Sequence, residues 1–468
     1  MDESRTVTQT HEHKVAVRLE QPYLFLTLQC DRPLEKGARF SLAGVDRVSL
    51  GRGAALQAER LQESGATLLR IAVPDPRMSG MHARVHKVLG NWVIEDAGSK
   101  NGTFVDGQRI TTSPLADDAL IELGHSFFVS KESLPRAEPA FLDGRDLRPL
   151  ARGLVSLSPA FTVALLKVAT FARGRVPVLV CGESGTGKEL IASAIHQLSG
   201  RTGPFVPVNC GALPANLVES ELFGYRKGAF SGAVEDRPGL VRSSEHGTLL
   251  LDEIGDLPLP AQATLLRVLQ ESEVLPVGGT KPVKVDLRVV AATHRDLAAL
   301  ADEEKFRADL LARLDGATIV LPPLRERRED FALIASALIE KIAGDLAREV
   351  TFSVDAARAL LMHDWPLNVR GLEKCLASAL LLSRGERIEL EHVRESIRCA
   401  LRPPAPRKQT SGPEPLTERD RRLREELLQL LKENGGNVTA VARAMGKART
   451  QVQRWLRRFE IDPASFIS

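Results

Sequence analysis

The chain has 468 residues, of which 43% are hydrophobic and 26% charged, and its net charge is +3. This length is enough for about three globular domains, and the apolar content excludes a disordered protein. The small net charge gives no global sign of nucleic-acid binding. Five cysteines are scattered without a CxxC pair, which argues against a disulfide framework or a zinc site and favours a cytoplasmic protein.

The polar N-terminus, and the lack of any apolar run of about 18 residues, predict neither a signal peptide nor a membrane partner. Short β-type runs such as YLFLTL and NWVIED then indicate an antiparallel β-sandwich. Strand–loop–helix units such as VPVLVCG and TLLLDEI indicate a parallel α/β sheet. The predicted organisation is a mobile N-terminus (1–21), a β-sandwich (22–130), a linker (131–152), an α/β core (153–321), an α-helical lid (322–400), a Pro-rich linker (401–416) and an all-α C-terminal unit (417–468).

The segment GESGTGKE (182–189) follows an apolar strand and precedes a helical pattern. It predicts a nucleotide-binding P-loop, because glycines let backbone N–H groups wrap a phosphate chain at a helix N-terminus. Lys188 is expected to reach the β- and γ-phosphates of ATP, and Glu189 stands where Ser or Thr would ligate Mg²⁺. The alternative is a glycine-rich turn without a ligand. The loop residues predicted to bind nucleotide are Gly182, Glu183, Ser184, Gly185, Thr186, Gly187, Lys188 and Glu189.

Two carboxylates end the apolar strand in TLLLDEI. Asp252 suits the Mg²⁺ shell, together with Glu189, and Glu253 suits orientation of the attacking water. The alternative is two solvated carboxylates at a strand end, which the preceding apolar residues and the P-loop disfavour. The two motifs together predict hydrolysis of ATP rather than binding alone.

Between these motifs lie NCGALPANLVESELFG (209–224) and GAFSGA (228–233). With GESGTGKE, they closely resemble the AAA+ domain of bacterial enhancer-binding proteins, the activators of sigma-54 RNA polymerase, whose loop reads GAFTGA. The resemblance covers residues 153–398. It implies that Phe230 and its neighbour Ser231, which keeps the hydroxyl of the family's Thr, contact sigma-54. An exposed Phe is typical of a contact surface, and the alternative is a buried loop anchor.

Two later segments resemble the family's sensor motifs. VVAATHRDL (289–297) is similar to the first sensor, with His294 at the usual Asn position. WPLNVRGLE (365–373) is similar to the second sensor, with Leu367 and Gly371 in place of the family's Gly and Glu. The resemblance implies sensing roles for His294, for Arg370 and for Asn209, the last as the switch partner of Glu253.

FRADLLARL (306–314) resembles the family segment that carries trans-acting arginines, here Arg307 and Arg313, and LPPLRER (321–327) resembles the start of the lid. An arginine presented to a neighbour's γ-phosphate raises the rate by about 10³–10⁵ in comparable systems. The resemblance therefore implies a homo-oligomer, from a dimer to a hexameric or heptameric ring. The alternative for each arginine is an ordinary surface charge.

The C-terminal segment GGNVTAVARAMGKARTQVQRWLRRF (435–459) resembles the Fis-type helix-turn-helix of these activators. From Arg443 to Arg458 it carries six basic residues and no acidic one, so a basic face exists although the whole chain is nearly neutral. Recognition helices read the major groove of DNA. The predicted contacts to enhancer DNA are Arg449, Thr450, Gln451 and Arg454.

The N-terminal sandwich carries Gly51-Arg52, an S-x-x-H motif at Ser79–His82, and GSKNGTFVDG (98–107). These residues resemble the forkhead-associated (FHA) domain, an all-β reader of phosphothreonine. Arg52 and Ser79 suit a phosphate group, and the resemblance implies that Asn101 binds the peptide backbone while His82 supports the loops. Gly80 stands where the family often has Arg or Lys. The alternative is a sandwich used only for protein contact.

The sequence thus predicts a multidomain activator with an FHA sandwich, an AAA+ ATPase and a helix-turn-helix. Its implied partners are sigma-54 RNA polymerase, enhancer DNA and a threonine-phosphorylated protein of a kinase pathway. One alternative is an AAA+ ATPase that remodels other protein or DNA targets, which GAFSGA and the Fis-like end disfavour. Another is a phosphopeptide adaptor with a dead ATPase, which Lys188, Asp252, Glu253 and Arg313 disfavour.

Overall fold

The computed structural model describes residues 20–151, 153–214, 216–400, 418–435, 437–446, 451–452, 455–456 and 461. The predicted mobile N-terminus, up to residue 19, and the predicted Pro-rich linker 401–416 lie outside the described residues. The chain divides after Leu401 into two units, which are taken in turn. Among the described helices, none is both long enough and apolar enough to cross a membrane.

The N-terminal strands are β1 (Glu20–Gln29), β2 (Ala38–Ser41), β3 (Arg47–Arg52), β4 (Gln57–Glu63), β5 (Ala66–Val73), β6 (Ala83–Val88), β7 (Asn91–Asp96), β8 (Thr103–Val105), β9 (Gln108–Ile110), β10 (Thr112–Pro114), β11 (Leu120–Leu123), β12 (Ser126–Pro135) and β13 (Phe141–Asp143). They form the predicted sandwich of two sheets, ordered β13-β2-β1-β12-β11-β8-β9 and β10-β7-β6-β3-β5-β4. Pairing is antiparallel, as predicted, except that β3 and β5 run parallel. Leu24, Leu26 and Phe128 belong to the apolar core between the sheets.

The sandwich extends beyond the predicted boundaries at residues 22 and 130. Strand β12 continues to Pro135, and β13 pairs with β2 across the segment that was predicted to be a linker. The prolines and charged residues of this segment suggest a linker, but a proline at a strand end or on an edge strand costs the sheet no hydrogen bond. The connection to the next domain therefore begins after Asp143.

The central elements are α1 (Pro159–Ala172), β14 (Val178–Cys181), α2 (Lys188–Ser199), β15 (Phe205–Asn209), α3 (Val218–Phe223), α4 (Gly239–Ser243), β16 (Thr248–Asp252), α5 (Leu259–Glu271), β17 (Glu273–Val274), β18 (Val283–Lys284), β19 (Arg288–Thr293), α6 (Leu297–Asp302), α7 (Ala308–Leu314) and β20 (Thr318–Val320). The predicted parallel sheet has the order β15-β16-β19-β14-β20. Its central strands are nearly continuous buried runs, because helices cover both faces. The carboxyl ends of parallel strands share one edge, where ligands of open α/β sheets bind.

The predicted lid consists of α8 (Phe331–Ala343), α9 (Val354–Met362), α10 (Asn368–Ser383) and α11 (Leu390–Ala400). The Ser353 hydroxyl accepts a hydrogen bond from the Ala356 N–H and so caps the N-terminus of α9. Leu360, Leu372, Leu376 and Val393 are buried between these helices. The lid is therefore a helical bundle with an apolar centre.

The sandwich and the lid share one hydrophobic core, which the sequence analysis did not predict. Its sandwich members are Leu28, Cys30, Leu120, Phe127 and Val129, and its lid members include Phe331, Leu338 and Phe352. We call this contact the sandwich–lid interface. Polar bonds complete it: the Phe352 N–H donates to the Cys30 carbonyl at 2.9 Å, and Arg358 donates to both carboxylate oxygens of Glu122 at 2.9 Å.

The C-terminal unit contains α12 (Glu418–Glu433) and α13 (Val438–Ala444). The Asn437 side chain accepts hydrogen bonds from the N–H groups of Thr439 and Ala440 and caps α13. Leu427, Leu431, Val441, Val452 and Leu456 are buried together, with Trp455 packed against them. These residues form the apolar core of a small helical domain.

Candidate functional site

The segment 182–187 turns tightly from β14 into α2. Gly185 and Gly187 have positive φ angles of 79° and 100°, and Gly187 is the N-cap of α2. Such angles favour glycine, which leaves the backbone free to curl around a bound group. The buried Lys188 ammonium donates to the Gly182 carbonyl at 3.0 Å and to the Glu183 carbonyl at 3.3 Å. A cation, glycine backbone and a helix N-terminus therefore converge on one point, as a phosphate chain requires.

The lid contacts this turn directly. A Cβ atom on Gly185 would lie 2.2 Å from the Leu367 carbonyl oxygen, so only glycine leaves room for the lid here. Arg325 donates to both carboxylate oxygens of Glu183, at 2.6 and 2.9 Å. Asn368 donates to the Glu183 carboxylate at 3.2 Å and to the Ser184 carbonyl at 3.0 Å. We call these contacts among Glu183, Arg325, Asn368 and Ser184 the lid latch.

The latch changes the expectation for Glu183. Its carboxylate is directed to the lid, which leaves its backbone as the part that faces the turn. Sequence reasoning missed Arg325 and Asn368, although both lie inside motifs, LPPLRER and WPLNVRGLE, that resemble the family. Their partner is 142 residues away from Arg325 and 185 from Asn368, so no local pattern could reveal the pairing.

Strand β16 ends at Asp252, beside the end of β19. Burial, followed by the neighbouring charge of Glu253, raises the pKa of the Asp252 carboxyl, whereas Lys188 and Arg370 act to lower it. A nearby cation stabilises the ionised form of a carboxyl group in this position. The Glu253 carboxylate contacts His294 Nδ1 at 2.5 Å and lies 3.8 Å from Lys188 Nζ. The structure thus brings together Lys188, Asp252, Glu253 and His294.

Asn209 ends β15, in register with Asp252 on β16. Its side-chain oxygen accepts a hydrogen bond from the Ala212 N–H at 3.2 Å and caps a short 3₁₀ turn. Among the described residues, the partners of the Glu253 carboxylate are His294 and Lys188, so the expected pairing of Asn209 with Glu253 is not formed in this structure. The Glu253 carboxylate turns instead toward His294, at the end of β19.

The other predicted nucleotide-site residues surround this cluster. Glu189 is exposed in the first turn of α2, and Arg370 lies on α10 with its Cβ 3.0 Å from the place of a Gly185 Cβ. No group of three or more His, Cys, Asp or Glu side chains that could hold a metal exists among the described residues. Mg²⁺ is usually held in proteins through one or two carboxylates together with substrate phosphates, and Asp252 and Glu189 are the candidates for those carboxylates here.

Arg307 and Arg313 are exposed on the surface of the core. Arg307 forms a paired contact with Asp309, at 3.0 and 2.7 Å, and Arg313 donates to the Leu269 carbonyl at 3.2 Å. These contacts are with α7 and α5 rather than with the P-loop of the same chain. Their exposure leaves both guanidinium groups accessible to a second molecule.

Residues 228–233 form a tight and largely exposed loop, which we call the GAFSGA loop. It closes through hydrogen bonds from the Gly228 N–H to the Ala233 carbonyl at 2.8 Å and from the Ala233 N–H to the Phe230 carbonyl at 3.0 Å. Phe230 is 41% exposed, and its ring packs edge-on against Tyr225 with 4.9 Å between centroids. Ser231 is exposed beside it. The alternative of a buried loop anchor does not fit this exposure.

In the sandwich, three loops meet around Ser79. The Arg52 N–H donates to the Ser79 carbonyl at 2.9 Å, the Lys100 N–H donates to the Ser79 hydroxyl at 3.1 Å, and Asn101 donates to the Arg77 carbonyl at 2.7 Å. The structure therefore brings Arg52, Ser79 and Asn101 to one exposed end of the sandwich. It leaves the Arg52 side chain exposed there.

The buried His82 ties these loops together. The Ser79 N–H donates to its Nδ1 at 3.2 Å, so the other ring nitrogen carries the proton and donates to the Gly102 carbonyl at 3.1 Å. His82 therefore contacts only loop backbone in these bonds, as expected of a supporting residue.

Comparison with known proteins places these sites in a family. FHA domains match residues 49–124, the Sigma-54 interaction domain matches 154–320, the AAA+ ATPase lid domain matches 325–410, and a Homeodomain-like domain matches 417–464. Regulatory protein AtoC from Escherichia coli K12 is 42% identical over 315 residues, which cover 66% of this chain and 68% of AtoC. The transcriptional regulatory protein GlrR from the same organism is 37% identical over 372 residues, 79% of each chain.

This chain belongs to the sigma-54-dependent transcriptional activators. Its central domain is an AAA+ ATPase, its N-terminal domain an FHA sandwich and its C-terminal domain a helix-turn-helix. The crystal structure of NtrX from Brucella abortus in complex with ATP is 32% identical, with a TM-score of 0.48 over 65% of this activator and 68% of NtrX.

The predicted DNA contacts of the activator fall mostly outside the described residues. Arg449, Thr450 and Arg454 lie outside them, whereas Gln451 is helical and half-buried. Its neighbour Val452 is buried in the core of the C-terminal unit.

Proposed function

We propose that this protein uses ATP hydrolysis in a ring to convert the closed promoter complex of sigma-54 RNA polymerase into the open complex. The observation that carries the proposal is the GAFSGA loop, which presents a half-exposed Phe230 from the same core that gathers Lys188, Asp252 and Glu253. Movement of the loop with the nucleotide state would transmit force to sigma-54 through Phe230 and Ser231.

In the ATP site, the residues of 182–187 and Lys188 bind the phosphates, and Arg370 and His294 line the γ-phosphate side. Asp252 and Glu189 supply the carboxylates for Mg²⁺, which neutralises charge on the phosphate oxygens when it is bound. Glu253 orients the attacking water. The raised pKa of Asp252, set by burial, supports a role that involves a cation.

The exposed Arg307 and Arg313 act on the nucleotide of the neighbouring subunit, which requires a hexameric or heptameric ring built from smaller homo-oligomers. Their exposure, and contacts that lie with α7 and α5 rather than with the P-loop, support this role. Asp309 holds Arg307 at the surface until the nucleotide of the neighbouring subunit replaces Asp309 as the partner of Arg307.

The FHA sandwich supplies the regulatory input. Arg52 and Ser79 bind the phosphate of a phosphothreonine, and Asn101 binds the peptide that carries it; the meeting of their loops supports this assignment. A threonine kinase acting in the cytoplasm is the implied source. At the other end of the chain, Arg449, Thr450, Gln451 and Arg454 bind enhancer DNA.

The experiment compares two variants. Lys188→Ala should abolish both ATP hydrolysis and open-complex formation, because the phosphates lose their cation. Phe230→Ala should leave the ATPase rate nearly unchanged and abolish open-complex formation at a sigma-54 promoter, measured by permanganate footprinting. Normal open complexes with Phe230→Ala would instead favour an AAA+ ATPase that remodels another target.

A second measurement tests the regulatory input. Arg52→Ala should lose binding to a phosphothreonine peptide in calorimetry, because a hydrogen bond between arginine and phosphate is charge-assisted and contributes about 1.5–3 kcal/mol. The exposed Arg70, whose guanidinium lies 4.0 Å from the Glu63 carboxylate, is a matched control. Equal affinity of wild type and Arg52→Ala would favour a sandwich that binds proteins without phosphate.

A further inference from the structure

His294 stands at the centre of a contact that the family resemblance does not supply. The Glu253 carboxylate lies 2.5 Å from His294 Nδ1, and the His294 backbone N–H points at the same oxygen at 3.4 Å. The other oxygen of Glu253 lies 3.8 Å from Lys188 Nζ. The proposed water-orienting carboxylate is thus held between the end of β19 and the P-loop lysine.

The chemistry of the two groups determines which one donates the hydrogen bond. An ionised carboxylate only accepts hydrogen bonds, so the His294 Nδ1 must carry the proton and donate it. Glu253 itself has a φ angle of 53°, in the left-handed region that favours glycine, and its N–H donates to the Asp252 carboxylate at 3.1 Å. The Glu253 backbone is therefore held in one uncommon conformation. The Glu253 side chain is held separately, by its contact with His294.

We infer that His294 is the positioning residue for Glu253 in ATP hydrolysis. It takes the place that the family resemblance gives to Asn209, because the Glu253 carboxylate is bonded to His294 in this structure. The inference rests on the proposed function, in which Glu253 orients the attacking water. His294 acts through Glu253, and its substitution leaves phosphate binding by Lys188 and the glycine turn in place.

The test uses substitutions that keep or remove the donor. The amide nitrogen of Asn sits one bond beyond Cγ, as Nδ1 of His does, so His294→Asn can donate from the same place, whereas His294→Ala cannot. In the full chain, His294→Ala should lower kcat about 10- to 100-fold, the usual loss when a supporting hydrogen bond or a reacting group's position is disturbed. His294→Asn should recover kcat to within about threefold of wild type, and KM for ATP should change by less than about threefold in both.

A double-mutant cycle then asks whether His294 works through Glu253. Glu253→Gln should nearly abolish turnover while binding ATP, and adding His294→Ala to it should cause no further loss in single-turnover rate, because residues that act as a unit are not additive. A further loss equal to that in wild type would overturn the inference, as would a normal kcat for His294→Ala.

His246→Ala is the matched control, because His246 is an exposed histidine of the same core with a carboxylate neighbour, Asp286, at 3.4 Å. It should hydrolyse ATP like wild type. Failure of the proposed function can be distinguished from failure of the role of His294. Normal turnover by Glu253→Gln would contradict the proposed function. An inactive Glu253→Gln with an active His294→Ala would defeat only the role of His294. Failure of His294→Asn to recover kcat would also overturn that role.

Discussion

The lid contacts the rest of its unit on two sides, and the two contacts have opposite chemistry. Toward the sandwich it offers buried apolar side chains, among them Phe352 and Leu338, that join Phe127 and Leu28 in one core. Toward the P-loop it offers the lid latch, in which Arg325 and the Glu183 carboxylate remain partly exposed.

This difference sets how easily each contact opens. Separating the sandwich–lid interface would return large apolar side chains to water, at about 25 cal/mol per Å² of apolar surface. Opening the latch would exchange a few hydrogen bonds and one partly exposed ion pair for bonds to water, and each such exchange costs about 1 kcal/mol. The lid should therefore leave the P-loop far more readily than it leaves the sandwich.

The largest expected effect comes from Phe127→Ala. Phe127 and Phe128 are neighbours on β12, but Phe127 belongs to the sandwich–lid core and Phe128 to the core of the sandwich. Each substitution should lower the free energy of unfolding of its own core by about 3–5 kcal/mol. Only Phe127→Ala should speed proteolytic cleavage within α8 and α9, and equal cleavage in both variants would contradict the shared core.

A smaller effect is expected from pH at the same interface. Burial raises the pKa of the Glu329 carboxyl to about 7, while Lys131, whose ammonium lies 3.8 Å away, acts to lower it. The folded chain therefore binds a proton that the unfolded chain has released, and stability falls as pH rises from about 4.5 to 7, by at most about 1.4 kcal/mol per pH unit.

Urea unfolding at pH 6 and pH 7 measures this dependence. Glu329→Gln should flatten it, whereas Glu340→Gln, which changes an exposed Glu on α8, should leave it as in wild type. A pH dependence that survives in Glu329→Gln would show that other groups cause it.

The smallest effect on stability is expected at the lid latch. Glu183→Gln removes the charge that Arg325 binds and should change the free energy of unfolding by less than about 1 kcal/mol, because the pair is partly exposed. It should nevertheless increase the dissociation rate of a fluorescent ATP analogue, since the lid then closes less firmly. Glu326→Gln is the control, because Glu326 lies 3.7 Å from the same guanidinium. Equal dissociation rates in both variants would show that the latch does not hold the lid.

The sequence was most informative where spacing and chemistry coincide. The P-loop and the carboxylates after β16 were predicted because each motif follows an apolar strand, and parallel strands place their carboxyl ends at one edge. The three loops of the sandwich were predicted because their residues resemble the FHA domain. Contacts between distant segments of the chain could not be predicted from the sequence. The hydrogen bond between Asn209 and Ala212 depends on a 3₁₀ turn that motif spacing does not predict. The lid latch joins residues more than a hundred positions apart.

The sandwich–lid interface did leave a trace in the sequence. Strands with one face in water alternate apolar and polar residues, whereas YLFLTL and SFFVS are nearly continuous apolar runs. Strands β1 and β12, which contain these runs, are buried on both faces. Such runs, in a sandwich of two sheets, predict that a further layer covers one of them.

The shared core also limits how this protein can change over evolution. A sensor attached only by a linker can be exchanged for another without altering the motor that follows it. Here, exchange of the sandwich would uncover Phe352, Leu338 and the rest of the lid surface that Phe127 and Leu28 now cover. The sensor and the lid of this activator must therefore be inherited and altered together, as if they were one domain.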